Sequence, residues 1–434
     1  MKIEINDNKK WQHSMTLKII LLAVMGLFLL IPLEMIKSII SERQQNSEKV
    51  RQEIAMQWAG KQNVSGPVLN IPVRIIPGDE KAQPYKILFH IMPEALNVTG
   101  VVQTEKRHRS IYEAVVFNSN LGLSGEFIIP DINTDQKSEI LREEAYFTVG
   151  ISDNRGLKGG VVLKTGASAI DAVPGLMDTE VFSSGISFPF PLNENEKTLD
   201  FSLDLTLSGS EDLSFSPVGK TTRVSLGSSW TSPGFNGNFL PAERIIDDSG
   251  FKASWLITNL NRNFPQIWSG NGFRPANDSF GVEFVLLADH YQKSLRSAKY
   301  GILFIALTFL ALLFAEMAAG EILHIISYLL VSLALVLFFS LLNALSEHIG
   351  FNYAYIAAAA STITLIFFFL RKLVKNIKPV LLITGLLIFL YAFIYVLLTL
   401  NDYAYLAGNI GLFVMLAAMM AFSIKLRVFR ISQD

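Results

Sequence analysis

The sequence predicts an α+β membrane protein with one N-terminal and five C-terminal transmembrane helices. A large antiparallel, β-rich and sandwich-like domain is expected between them. Half of the 434 residues are apolar and only 17% are charged, which is unusual for a single soluble protein. Apolar runs long enough to cross a bilayer, about 20 residues each, occur near the two ends of the chain. Between them, near-alternating apolar and polar residues bounded by Gly, Pro, Asn and Asp indicate strands.

The first predicted span covers residues 17–40 and follows a short tail, residues 1–16. Its apolar stretch is too long for the core of a cleaved signal peptide, and no small-residue cleavage site follows it. We therefore expect an uncleaved signal-anchor. The other predicted spans are 300–319, 325–345, 351–370, 379–400 and 403–424, followed by a tail at 425–434.

Lysine and arginine in short flanking segments predict the orientation of the spans. The positive charges lie in the N-terminal tail, in the loop after the fourth span and in the C-terminal tail. The short loops "SEHIG" and "ND" contain no lysine or arginine. This pattern predicts six spans with both termini in the cytoplasm, so that residues 41–299 lie outside it.

Residues 41–299 should begin with a helix and continue as strands. Val50, Ile54 and Trp58 recur at helical spacing, and Gly60 should end that helix. Further along, one segment keeps a strict period of two, which a strand with one buried face explains. Its apolar positions are Leu199, Phe201, Leu203, Leu205 and Leu207. Many such strands with few helical windows predict an antiparallel sandwich.

Composition argues against several classes of activity. The chain has no cysteine, which excludes disulfides and thiolate chemistry, and its net charge of −1 gives no basic field for nucleic acid. The six histidines include no helical pair; His90 and His108 fall in predicted strands. No serine lies in a nucleophile-elbow context. We therefore expect no enzymatic activity, no metal and no cofactor.

Ionisable groups in predicted spans carry more weight because burial in lipid is costly. Glu34 lies near the outer end of the first span, where Lys37 is a local partner, and Glu316 lies near the inner end of the second. Asn343, Glu347 and His348 lie at the outer end of the third span. Glu316 and His348 should be roughly 30 Å apart, too far for one compact site. Glu347 and His348 are expected to contact residues 41–299 or Glu34.

Several segments resemble one known family in the same order and spacing. They are "VSGPVLNIPV", "SDNRGLKGGV", "LSGSEDLSFSPVGKTT", "SSWTSPGFNGNFLPAERIIDDSGFKASW", "ADHYQKSLRSAKYGILFIALTFLALLFAEM" and "LNALSEHIGFNYAYIAAA". Together they are similar to the CreD family of Gram-negative inner-membrane proteins. The resemblance extends from the first span to about the fourth, and the last two spans match by pattern only.

The resemblance implies a multi-pass protein of the bacterial inner membrane with a periplasmic domain. CreD-like proteins are described as cell envelope integrity proteins linked to envelope stress, colicin tolerance and β-lactam response. The family has no agreed reaction or ligand, so no catalytic residue is carried over.

Two functional hypotheses follow. In the first, the periplasmic domain binds an envelope protein, a peptidoglycan fragment or a lipid, and the spans anchor it in the bilayer; Phe264 and Trp268 are a candidate contact surface. In the second, the chain is a membrane-embedded transporter or enzyme that uses Glu316 or the Asn343, Glu347 and His348 cluster. The lack of acids or histidines across the middle of the last three spans disfavours transport.

Overall fold

The structure is a computed structural model that divides into two compact units. The membrane unit comprises Met1–Ser47 and Ala288–Asp434, and the β-rich unit comprises Glu48–Leu287. The described residues are 15–78, 83–110, 112–132, 137–194, 196–285, 290–319 and 323–400, with isolated positions between 406 and 420. The predicted span at 403–424 and most of the two predicted tails lie outside the described residues, apart from those isolated positions.

The N-terminal apolar run forms two consecutive helices, α1 (Met15–Phe28) and α2 (Leu30–Gln57). The interruption at Leu29 has a local cause, because Pro32 has no N–H to donate to the carbonyl of Phe28. Helix α2 continues well beyond the predicted end of the first span at residue 40. Gly60 has a φ of +57° just after the helix, which confirms it as the predicted stop.

Five helices are described in the C-terminal part of the membrane unit. They are α3 (His290–Lys299), α4 (Gly301–Ala319), α5 (Ile325–Ile349), α6 (Phe351–Leu373) and α7 (Ile377–Thr399). Among the described residues, four helices are long and apolar enough to cross a membrane: α1 with α2, α5, α6 and α7. A fifth is counted if α3 and the start of α4, bent by 42°, form one span.

The β-rich unit contains two sheets, and the first is built around strand β1. Its strands are β1 (Gln62–Ile75), β2 (Tyr85–Ile91), β5 (Ser138–Ile140), β6 (Tyr146–Ile151), β9 (Val173–Pro174), β10 (Gly185–Pro189), β12 (Asp212–Phe215), β14 (Pro233–Gly237), β17 (Ile267–Ser269) and β18 (Phe280–Phe284). The main order is β14-β18-β12-β1-β6-β10-β9, with β2 and β5 also pairing with β1 and β17 pairing with β2.

The second sheet contains eight strands in the described part of the chain: β3 (Ala95–Arg109), β4 (Tyr112–Ile128), β7 (Val162–Thr165), β8 (Ser168–Asp171), β11 (Thr198–Ser210), β13 (Thr221–Ser228), β15 (Glu243–Asp247) and β16 (Gly250–Thr258). Their order is β15-β16-β13-β3-β4-β11-β7-β8. The predicted alternation in β11 is confirmed, since Leu199, Phe201, Leu203, Leu205 and Leu207 are all buried.

Both sheets are mixed rather than purely antiparallel, which corrects the prediction. Strand β1 pairs in parallel with β12, and β3 pairs in parallel with β13. A period of two reports that one face of a strand is buried, but it carries no information on the direction of the neighbouring strand. The two sheets share one hydrophobic core, in which Phe127 and Phe147 from opposite sheets lie 5.4 Å apart between ring centroids.

Candidate functional site

A largely buried ion pair joins three helices of the membrane unit. The Lys18 Nζ of α1 lies 2.5 Å from both carboxylate oxygens of Glu316 on α4. It also donates to the carbonyl oxygen of Leu323 at 2.9 Å, and the Tyr328 hydroxyl of α5 donates to Glu316 at 2.8 Å. The side chains of Lys18 and Glu316 are only 11% and 13% exposed. Glu316 therefore has a cationic partner and a phenol donor.

Sequence reasoning identified Glu316 but not Lys18 or Tyr328. The sequence signal that could have paired them was their depth in the bilayer. Lys18 lies at the start of the first predicted span, and Glu316 lies near the end of the second. Two antiparallel spans bring such positions to the same side of a bilayer. The arrangement neutralises the acid, which reduces its suitability as a freely titrating carrier group.

The three polar residues near the C-terminal end of α5 have different surroundings. Glu347 accepts a hydrogen bond from the Tyr291 hydroxyl at 3.2 Å, while Asn343 is buried and His348 is exposed in the last helical turn. Tyr291 belongs to α3, which clusters with the membrane unit rather than with the β-rich unit. Gly350, with a φ of +76°, permits the tight reversal into α6.

Glu34 has the local partner that its spacing indicated. Lys37 Nζ lies 2.6 Å from a carboxylate oxygen of Glu34, one helical turn away on α2. The side chain of Glu34 is 66% exposed. The expected alternative contact between Glu34 and Glu347 or His348 is not among the hydrogen bonds of the described residues.

Phe264 and Trp268 do not form an exposed contact surface. Both are buried in the core of the β-rich unit, with exposures of 6% and 7%, and their rings pack edge to face. The guanidinium of Arg262 lies 4.3 Å from the centroid of the Phe264 ring, and burial lowers the pKa of Arg262 to about 10. An aromatic-rich segment is thus explained by packing, which sequence spacing alone does not distinguish from an exposed patch.

The outer face of the second sheet carries a groove of about 880 Å³. One row of its floor crosses six strands and consists mostly of short side chains. In order from β11 to β15, the row is Asp204, Gly122, Thr99, Ser225, Ser254 and Glu243. Five strand spacings separate the two carboxylates by about 24 Å. Asn120, Val101, Lys252 and Ile245 occupy the adjacent row.

Small residues keep the groove open. A Cβ on Gly122 would meet only Thr99 Oγ1 at 3.3 Å and Asp204 Oδ1 at 3.7 Å, and one on Gly227 would meet nothing closer than 3.8 Å. The floor therefore presents hydroxyls with an acid at each end, a surface suited to a polar ligand. Sequence reasoning missed this site because its residues come from six strands and form no motif.

No metal centre is found in the parts of the chain that the structure describes: no three residues among His, Asp and Glu there are placed to hold an ion.

The fold defines a class: a multi-pass membrane protein with a separate, two-sheet β-rich unit. The family model for "Inner membrane protein CreD" matches residues 14–428. The chain is also 34% identical over 405 residues to "Inner membrane protein CreD" of Escherichia coli (strain K12), covering 91% of this chain and 89% of that protein. The chain therefore belongs to the CreD family of inner membrane proteins.

The match to one solved structure does not bear on this assignment. A mutant M1 zinc metallopeptidase from Deinococcus radiodurans is 10% identical, with a TM-score of 0.17, and the match covers 38% of this chain and 39% of that one. A similarity this low carries no argument about fold or function.

Proposed function

We propose that the chain maintains the cell envelope, as a non-enzymatic protein whose β-rich unit binds a periplasmic envelope component. The groove on the second sheet is the observation that carries this proposal. It is large enough for a small ligand or a segment of a larger one. Membership of the CreD family adds support, because the resemblance implies a role in envelope integrity and stress.

The groove favours a polar partner over a bulk lipid surface. Thr99, Ser225 and Ser254 supply hydroxyls along its floor, and charged residues lie near both ends. Hydroxyl, amide and carboxylate groups match the hydrogen-bonding groups of a peptide or a peptidoglycan fragment. The proposal therefore ranks a protein or a peptidoglycan fragment above a lipid as the ligand.

Filling the groove tests the proposal. Gly122→Leu would project an apolar side chain into the floor, while Gly160→Leu is a matched control at an exposed position with open space around it. We expect cells that depend on the Gly122→Leu protein to become as sensitive to β-lactam and detergent as cells lacking the chain. Gly160→Leu should retain wild-type resistance. Normal resistance with a correctly expressed Gly122→Leu protein would contradict the proposal.

Removal of the β-rich unit provides a coarser test of the same proposal. A variant that lacks it but keeps the membrane helices should lose all envelope protection. If the membrane helices alone restored resistance, the binding role would be wrong.

The transporter or enzyme hypothesis remains as a second candidate because Glu316 is an acid within the membrane unit. Under it, Glu316→Gln and His348→Ala would each abolish function at normal expression. The pairing of Glu316 with Lys18 and the exposure of His348 favour the first proposal instead.

A further inference from the structure

Residues 175–182, "GLMDTEVF", cross one face of the first sheet as an irregular segment between β9 and β10. We call this segment the strap. Strand alternation places Tyr146 and Thr148 on the face it crosses, because Phe147 and Val149 of the same strand belong to the core shared with the second sheet. The strap therefore covers the face of the first sheet that points away from the second sheet.

The two ends of the strap are fixed to the sheet. At the first end, Ser187 Oγ donates to the Gly175 carbonyl at 3.2 Å and accepts from the Met177 N–H at 3.1 Å. At the second end, the buried ring of Phe182 packs so closely on Gly150 that a Cβ there would lie 2.7 Å from it. The residues between these two ends are held to the sheet by other contacts.

Two acidic side chains bind the middle of the strap to the sheet. Asp178 accepts a hydrogen bond from the Tyr146 hydroxyl at 2.6 Å, and an oxygen of Glu180 lies 3.0 Å from His90 Nε2. Burial, followed by the hydrogen bond to Asp178, raises the pKa of Tyr146, so this phenol stays a donor at physiological pH. The contact between Glu180 and His90 includes an imidazole, the type of side chain whose charge can change near neutral pH.

His90 lies in a polar row that spans four strands. Its register partners are Trp268 on β17 and Asn70 on β1, and Asn70 is paired in turn with Tyr146 on β6. His90 is fully buried, with its ring 5.5 Å from that of Trp268. Glu180, Asp178 and Tyr146 are the ionisable groups linked to this row among the described residues.

The contacts on either side of the ring place a hydrogen-bond acceptor at each imidazole nitrogen. His90 Nδ1 lies 2.7 Å from Asn70 Oδ1. The amide nitrogen of Asn70 faces Thr148 Oγ1 at 2.8 Å and the Val68 carbonyl, which can only accept, so its oxygen must face His90. Nδ1 is therefore a donor, and Nε2 faces a carboxylate, which is also an acceptor.

We propose that protonation of His90 controls whether the middle of the strap is held against the sheet. The strap is bound when His90 is an imidazolium that donates to Glu180, and it is loosened when the ring is neutral. A neutral ring that keeps its proton on Nδ1 presents a lone pair to Glu180 and loses that hydrogen bond. The middle of the strap then detaches while Ser187 and Phe182 hold its ends. Loosening uncovers the polar side chains of His90, Asn70 and Thr148.

Hydrogen exchange of the full-length protein in detergent tests this proposal. Protection factors for amides at 176–180 should fall by about tenfold or more as the pH rises from about 5 to 8, the range in which imidazoles titrate. Glu180→Gln should remove this pH dependence, because a side-chain amide can accept from, or donate to, Nε2 in either protonation state. Tyr146→Phe should lower protection at every pH, because it removes the hydrogen bond to Asp178.

The matched control is Glu139→Gln, which breaks an exposed ion pair with Arg74 on the same sheet. It should retain the wild-type pH dependence at 176–180. Protection that is constant with pH in the wild type, or pH dependence that persists in Glu180→Gln, would overturn the proposal. Because the readout is local exchange, its failure is independent of any result on ligand binding in the groove.

Discussion

At the scale of single residues, Glu211 and Asp212 occupy an unfavourable position between β11 and β12. Glu211 has a φ of +63°, a conformation that non-glycine residues rarely adopt. Asp212 is 7% exposed and accepts a hydrogen bond from Asn236. Burial raises the pKa of both carboxyls, although the charge of Lys61 and, at Asp212, the bond from Asn236 oppose it.

The raised pKa of Asp212 predicts how the stability of the β-rich unit depends on pH. An aspartate in the unfolded chain titrates near pH 4. Between that value and the raised pKa of the folded state, the unfolded chain loses a proton that the folded chain retains. The free energy of unfolding therefore falls as the pH rises through this interval. The stabilising contribution of Asp212 is fully present only below the pKa of the unfolded chain.

Asp212→Asn should remove this contribution. Relative to the wild type, the variant should become more stable as the pH rises from acid to neutral. Denaturant unfolding followed by tryptophan fluorescence is suitable, because four of the five tryptophans lie in the β-rich unit. Asp200→Asn, at an exposed position on β11, is the control, and equal pH profiles for the two variants would contradict the prediction.

At the scale of secondary structure elements, the Lys18 and Glu316 pair ties α1 to α4, and Tyr328 adds α5. A buried ion pair contributes little net stability compared with apolar residues of the same size, but an unpaired buried charge is costly. We therefore expect the pair to act mainly by specifying which helices associate. This role requires no proton movement.

Single and double substitutions should separate these effects. Glu316→Leu alone leaves Lys18 unpaired and should reduce the free energy of unfolding by about 3 to 5 kcal/mol. Lys18→Met combined with Glu316→Leu should recover most of that loss. Thermal or denaturant unfolding of the membrane unit in detergent would measure both, with Lys37→Met as a control that breaks the exposed pair with Glu34. A double variant as unstable as the single one would exclude the pairing.

At the scale of the whole molecule, the charge pattern predicts which side of the membrane each segment occupies. The absence of cysteine makes this prediction directly testable with single introduced cysteines. Ser202→Cys lies on an exposed position of β11, and Lys372→Cys lies in the exposed, positively charged end of α6.

A membrane-impermeant maleimide should label Ser202→Cys in cells with a permeabilised outer membrane. Lys372→Cys should react at least about tenfold less until the inner membrane is lysed, because positive loops remain on the cytoplasmic side. Equal labelling of both positions before lysis would contradict the predicted topology.

Several features follow from the sequence alone because their causes are local. Apolar runs long enough for a bilayer identify the helices that could cross it, and alternation identifies β11. Gly60 and Gly350 mark chain reversals because their backbones have positive φ. The partner of Glu34 is also local, one helical turn away.

The tertiary structure alone decided which distant residues meet. Periodicity does not encode how secondary structure elements pack against one another. Packing decides the direction of neighbouring strands, the contact of Glu316 with Lys18 and the burial of Phe264 and Trp268. The groove and the His90 row both run perpendicular to the strands, so each takes at most three neighbouring residues from any strand. Residues that are neighbours only across a sheet form no sequence motif, and for this reason both features became visible only in the folded chain.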